Sequence, residues 1–176
     1  MSKKYYILIG LIIVLIFGYL TYDYNKVIED KISINCDKFT NPVNIYFDKN
    51  YRNMAESSIK FLKPKIDSLK ITAEIACSNS ERQKGLMNRE SLGEFNGMLF
   101  VFDYEEKYEF HMENTLIPLS IAFINAKREI VDIREMKALD GRTVTSKVPA
   151  LYALELNANF FNANNIAIGD RIVINK

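Results

Sequence analysis

The sequence predicts an α+β, mostly β protein: a small antiparallel β-barrel-like domain with two short helices, preceded by one N-terminal transmembrane helix. Three observations carry this. From Leu69 onward, apolar residues alternate with polar ones or run in short blocks bounded by Gly, Pro, Asn and Asp, the pattern of about seven strands. Within that region helical spacing is confined to two short stretches, without the strand–helix–strand rhythm that builds a parallel sheet. Ahead of them, Tyr5–Leu20 is an uncharged apolar run behind Lys3 and Lys4.

That run sets the expected location. Thr21 and Tyr22 extend it towards the ~20 residues of a membrane span. Tyr5, Tyr6, Tyr19, Tyr22 and Tyr24 fall near its ends, where aromatic rings favour the membrane–water interface. A cleaved signal peptide is the competing reading, but Gly18-Tyr19-Leu20 would place a bulky Leu at the cut. Lysines ahead of the span predict an N-inside orientation. The expectation is a single-pass protein of the inner (cytoplasmic) membrane, touching lipid through Tyr5–Tyr22, with its domain on the periplasmic or extracellular side. Residues 1–24 are then the anchor, 25–68 a stalk and poorly defined lead-in, and 69–176 the globular domain.

Charge excludes one class of partner. Lys and Arg number 23 and Asp and Glu 22 in 176 residues, interspersed, so no basic footprint for nucleic acid exists. Seven Gly and four Pro argue against disorder, while eleven Phe and ten Tyr lean towards strands.

In chain order, Asn41-Pro42 marks a turn, Val43–Phe47 a short strand and Asn53–Leu62 a helical turn or two. Leu69–Cys77 alternates cleanly and is a strand. Ser78-Asn-Ser-Glu81 is a capping box, so a helix starts there and stops near Gly85, after which Leu86, Met87 and Leu92 pack back on the sheet. Gly97–Phe102 reads as a buried strand and Asp103–Lys107 as a charged turn. Tyr108–Met112 and Leu119–Asn125 are strands around a polar knuckle, and Asn125–Arg128 turns into the strand Glu129–Met136. Lys137–Lys147 is a polar loop. Ala150–Asn157 is a strand, Ala158–Asn164 a short helix and Arg171–Asn175 the last strand.

Two cysteines, Cys36 and Cys77, in an exported chain allow one disulfide. Alternation in Ile71–Cys77 places Cys77 on the core face, however, where a free thiol packs as a small hydrophobe; that is the preferred reading.

Several strings now converge. Ser80-Glu-Arg-Gln-Lys-Gly-Leu-Met87-Asn-Arg89, Gly97-Met-Leu-Phe100, Phe110-His-Met-Glu-Asn-Thr-Leu-Ile-Pro-Leu119, Leu154-Glu-Leu-Asn-Ala158 and Gly169-Asp170 occur in this order. In this, the stretch Leu69–Lys176 resembles the domain of unknown function 192 family, also called uncharacterised protein family 0127. The resemblance implies a compact, mostly β domain, often behind a signal or anchor, and no activity. The family pattern usually has Trp where this chain has His111, Lys where it has Glu113 and Asp where it has Ser120.

The candidate ligand-binding residues are Arg89, His111, Met112, Asn114, Thr115, Glu155 and Asn157, expected to form a polar mouth on the barrel for an unknown small ligand or an envelope protein. Asn114 and Thr115 also suit a purely local role in fixing a tight loop. No complete catalytic or cofactor motif occurs, so the leading expectation is a non-catalytic accessory module. The alternatives are an envelope hydrolase or transferase using Glu155 with Glu113 or His111, and a soft-metal (copper) binder drawing on His111, Met112, Met87, Met98 and Cys77. Bland readings stand beside these: Glu155 paired with Arg89, and methionines as core filler.

Overall fold

The computed structural model describes residues 41–49 and 69–175. The apolar segment Tyr5–Tyr22, residues 25–40 of the stalk, Cys36 and the helical turns expected within 53–62 lie outside the described residues. Among the described residues no helix is long and apolar enough to cross a membrane.

Among the described residues, nine strands and two short helices follow in the order β1 (Val43–Asp48), β2 (Lys70–Ala76), α1 (Asn79–Lys84), β3 (Asn96–Glu106), β4 (Glu109–Phe110), β5 (Leu119–Ile124), β6 (Ile130–Met136), β7 (Val144–Thr145), β8 (Ala150–Asn157), α2 (Phe160–Ala163) and β9 (Arg171–Asn175). Seven strands form one sheet, ordered β6-β5-β8-β3-β2-β1-β9, and β4 and β7 form a separate two-stranded ribbon. The ends of the large sheet curl towards each other. Glu129 bridges Arg171, Ile130 N–H donates to the Asp170 carbonyl at 2.8 Å, and Ile172 N–H donates to that of Arg128 at 2.9 Å. The result is a curled half-barrel.

One pairing departs from the antiparallel expectation. β2 and β3 run parallel, with Thr72 opposite Asn96 and Ala76 opposite Phe100. Parallel neighbours need a crossover, and here α1 and the loop after it supply one. At six residues α1 is too short to announce a crossover helix in the sequence. Two further differences are local. β3 continues through the expected charged turn to Glu106, and β7, the partner of β4, lies inside the expected polar loop.

The core explains the sequence pattern. β1 and β2 alternate, burying Val43, Ile45, Ile71, Ala73 and Ile75 on one face of the sheet. The middle strands are instead buried on both faces, as expected for near-continuous apolar runs. Leu99, Val101, Ala122, Leu154 and Leu156 join that first cluster. Met98, Phe100, Ile121, Phe123 and Ala153 join a second, on the other face, with Leu86, Phe110 and Met112. Glu155 belongs to this second face.

Cys77 corrects an expectation. It packs against the first cluster as the alternation predicts, but it is disulfide-bonded rather than free. Alternation reports the direction of the side chain, not the bonding of its sulfur. The sequence holds one other cysteine, Cys36.

Candidate functional site

Local chemistry fixes the rim of the site first. The capping box forms as expected: Glu81 N–H donates to Ser78 Oγ at 3.2 Å, and Ser78 N–H donates back to Glu81 Oε2 at 2.8 Å. Cys77 N–H adds a second bond to the same carboxylate at 3.1 Å. These backbone donors hold the Glu81 carboxyl below its usual range. The helix ends at Gly85, whose φ of +46° suits a residue without Cβ. Gly85 also lies against the Phe100 ring, so the chain after α1 can seat Leu86 in the second core cluster.

Arg82 locks this corner to the sheet. Its guanidinium donates to the carbonyls of Cys77 and Val101, the latter at 2.8 Å, and to Asn79 Oδ1 at 2.5 Å. It also lies 5.5 Å from the centre of the Phe102 ring. The polar knuckle is tied down in turn. Asn88 N–H donates to the Asn114 carbonyl at 2.8 Å, and Leu139 N–H to the Thr115 carbonyl at 3.0 Å. Asn114 itself has φ of +55°, a conformation that Asn tolerates well.

Between these parts lies a cavity of about 90 Å³. Gly85, Leu86 and Met87 form one side and Phe100 and Phe102 the wall of the sheet. Phe110, His111 and Thr115 also line it. The rings interlock edge to face, with Phe110 at 5.0 Å from Phe100 and 6.3 Å from Phe102. Arg82, Lys84, Glu109 and His111 supply the polar and charged rim.

Glu155 also lines this cavity. In the sheet it stands opposite Met98 on one side and Ile121 on the other, so its neighbours are apolar. It is 5% exposed. No hydrogen bond or ion pair from the described residues reaches its carboxyl. Burial alone pushes that carboxyl from 4.5 up to about 8, so the acid is mostly protonated at neutral pH. A buried carboxyl without a partner costs stability. Its two oxygens are free to meet whatever enters.

The expected site residues therefore divide. His111, Thr115 and Glu155 line one cavity. Arg89 does not: it donates to both Glu74 carboxylate oxygens, at 2.6 and 2.8 Å, instead of pairing with Glu155. Asn157 clamps the loop before β3 by donating to the Gly93 carbonyl at 3.0 Å. Met112 is buried in the second core cluster, and Asn114 shapes the knuckle. Glu113 is exposed and away from the lining, so no Glu155–Glu113 pair forms in this cavity. Of the soft-metal candidates Met87 and His111 reach the lining, while Met98 is core and Cys77 is oxidised. The aromatic wall was the missed part. Its only signal was the apolar content of Gly97–Phe102 and Phe110, which reads as ordinary core.

A second cavity, of about 290 Å³, lies beside Met112, Glu135 and Asp140. Its acids are engaged. Glu135 accepts from Ser120 Oγ at 2.6 Å and Asn159 N–H at 3.0 Å, and Asp140 holds the Arg142 guanidinium at 2.6 Å.

Comparison with known proteins adds the following. A family model described as DUF192, Uncharacterized ACR, matches residues 62–174. A solved protein from Sinorhizobium meliloti 1021, provisionally described as a transcription regulator, is 25% identical with a TM-score of 0.63, covering 78% of this chain and 97% of that one. A protein of unknown function from Novosphingobium aromaticivorans DSM 12444 is 31% identical with a TM-score of 0.58, covering 59% of this chain and 75% of that one. No curated protein matches this chain.

Proposed function

The chain belongs to the DUF192 family, and we propose that it is a non-catalytic binding module of the cell envelope whose ligand site is the cavity lined by Glu155. One observation carries this reading: a nearly fully buried carboxyl with no partner among the described residues lines an aromatic cavity with a polar rim. Pockets that hold small ligands combine apolar walls with a few placed polar groups. The site is small, so it suits a small molecule or the head of a larger one.

The envelope location rests on separate support. Tyr5–Tyr22 has the length, the flanking lysines and the tyrosine-rich ends of a single membrane anchor. The Cys77 disulfide suits an oxidising compartment. A net charge of +1 gives no support for nucleic acid as the partner, so the provisional description of the Sinorhizobium protein is not carried over.

A second reading, an envelope hydrolase or transferase, has one observation in its favour. Glu155 and His111 line the same cavity, and a carboxyl raised to about 8 is a competent general acid near neutral pH. A copper site built on Met87 and His111 is the third.

The test is thermal unfolding of the full chain against amines, small acids, amides, sugars and Cu(I), with Glu155→Gln and His111→Ala in parallel. A ligand at a hundred times its Kd adds about 2.7 kcal/mol and raises the melting point visibly. A hit lost in Glu155→Gln supports the site. Turnover of the hit, abolished in Glu155→Gln while binding survives, would replace it with the enzyme reading. A copper hit lost in His111→Ala would favour the metal. A fusion reporter placed after Asp23 tests export, which fails if the reporter is active only in the cytoplasm.

A further inference from the structure

The binding reading leaves open which chemistry the cavity selects, and the inference here rests on that reading. We propose that the Glu155 cavity recognises a compact organic cation, a primary ammonium group on a short alkyl stem, held between the Glu155 carboxylate and the Phe100 and Phe110 rings. The acid is 5% exposed and has no partner among the described residues. Phe100 and Phe110 meet edge to face at 5.0 Å beside it. An ammonium is the group that uses both features, because it forms charge-assisted hydrogen bonds to a carboxylate and is attracted to aromatic faces. A neutral acceptor would use only the single carboxyl proton.

The surrounding charges allow this. Arg82 and Lys84 face the cavity from α1, and Glu109 and His111 from β4 and the residue after it. The β3 and β5 neighbours of Glu155, Met98 and Ile121, are apolar. Arg82 keeps its charge, but its donors are taken by two carbonyls and Asn79 and it lies 4.0 Å from Asp103. Neither Arg82 nor Lys84 lowers the Glu155 carboxyl, which burial alone perturbs. Glu109 adds a negative charge at the rim. The 90 Å³ of space is below the ~150 Å³ that holds a benzene, so the head and first carbons enter and the rest of the stem stays outside.

Binding then requires Glu155 to release a proton. Its carboxyl titrates at about 8 without a ligand, whereas an alkylammonium keeps its charge to about pH 10. Affinity for the cation should rise about tenfold per pH unit between pH 6 and 8 and level off above. A neutral acceptor bound by the protonated acid would show the reverse, level at low pH and lost above pH 8.

The experiment is calorimetric titration of the full chain with n-butylammonium, its neutral counterpart n-butanol, and N-acetyl-lysine methylamide, each from pH 6 to 9. Expected are a rising affinity for butylammonium, at least tenfold weaker binding of butanol, and loss of the pH slope with at least tenfold weaker binding in Glu155→Gln, which keeps the side-chain shape. Equal binding of the lysine derivative would place the cation on a protein partner, and weaker binding would point to a free amine. Butanol binding as tightly as butylammonium, or unchanged butylammonium affinity in Glu155→Gln, would overturn the proposal. If butylammonium fails while another ligand stabilises the wild type and not Glu155→Gln, the cation assignment falls and the binding site stands. If no ligand of any class binds, both fall.

Discussion

Arg89 donates to both carboxylate oxygens of Glu74, at 2.6 and 2.8 Å. The bond lowers the Glu74 carboxyl and raises the guanidinium. It also commits to β2 the arginine that sequence reasoning offered to Glu155. Both partners are partly solvated, so the pair contributes only about 0.5–1 kcal/mol, screened by salt. Arg89→Met should therefore cost less than about 1 kcal/mol in urea unfolding and leave ligand affinity unchanged. A tenfold loss of affinity would return Arg89 to the site.

Glu155 makes stability depend on pH. Its folded value, about 8, lies above its ordinary 4.5, so between those values the folded state holds a proton that the unfolded state has released. Stability contributed by the protonated acid is full below pH 4.5 and is lost as pH rises through 8, roughly tenfold in the folding equilibrium per unit. Urea unfolding at pH 5 and pH 8.5 should show a difference of roughly 3–5 kcal/mol that largely disappears in Glu155→Gln. A wild type and variant with the same pH dependence would contradict this.

Gly97 permits the close approach of β3 to β8 beside Glu155. A Cβ there would lie 2.4 Å from Leu156 Cδ2 and 2.5 Å from the Glu155 carbonyl oxygen. Backbone cannot yield as a side-chain tip can, so Gly97→Ala should cost about 2–4 kcal/mol. Gly141, with nothing within 4 Å of an added Cβ, serves as the control: Gly141→Ala should shift the melting point by little.

Ser78→Ala removes the hydroxyl that accepts from Glu81 N–H. The expected cost is about 1 kcal/mol, read by chemical denaturation. Ser78→Asp should recover most of it, since Asp also accepts at an N-cap.

Reduction should weaken the domain. Cys77 is disulfide-bonded, and losing a native disulfide typically costs about 2–5 kcal/mol. Thermal melting with and without dithiothreitol should show the loss, and Cys77→Ser should match the reduced wild type.

How much of this was legible depended on the range of each signal. β2, the capping box, β8 and β9 were readable because alternation and caps act over a few residues. The β2–β3 parallel pairing was not, because α1 has only six residues and the pairing depends on the path of the chain. The β4–β7 ribbon, two residues a side, has no period to detect. Glu155 stood out as a carboxylate inside an apolar strand. Its neighbours did not, because the β2 ion pair and the Phe100–Phe110 contact join residues far apart in the chain or indistinguishable from core.

A carbon-13 NMR titration of the glutamate side-chain carboxyls in the full chain, from pH 4 to 10, examines the buried acid itself. One carboxyl resonance should titrate near pH 8 and be missing from Glu155→Gln. If every glutamate instead titrates below about pH 5.5, Glu155 is solvated or paired, and neither the binding site nor its proton-coupled selectivity survives.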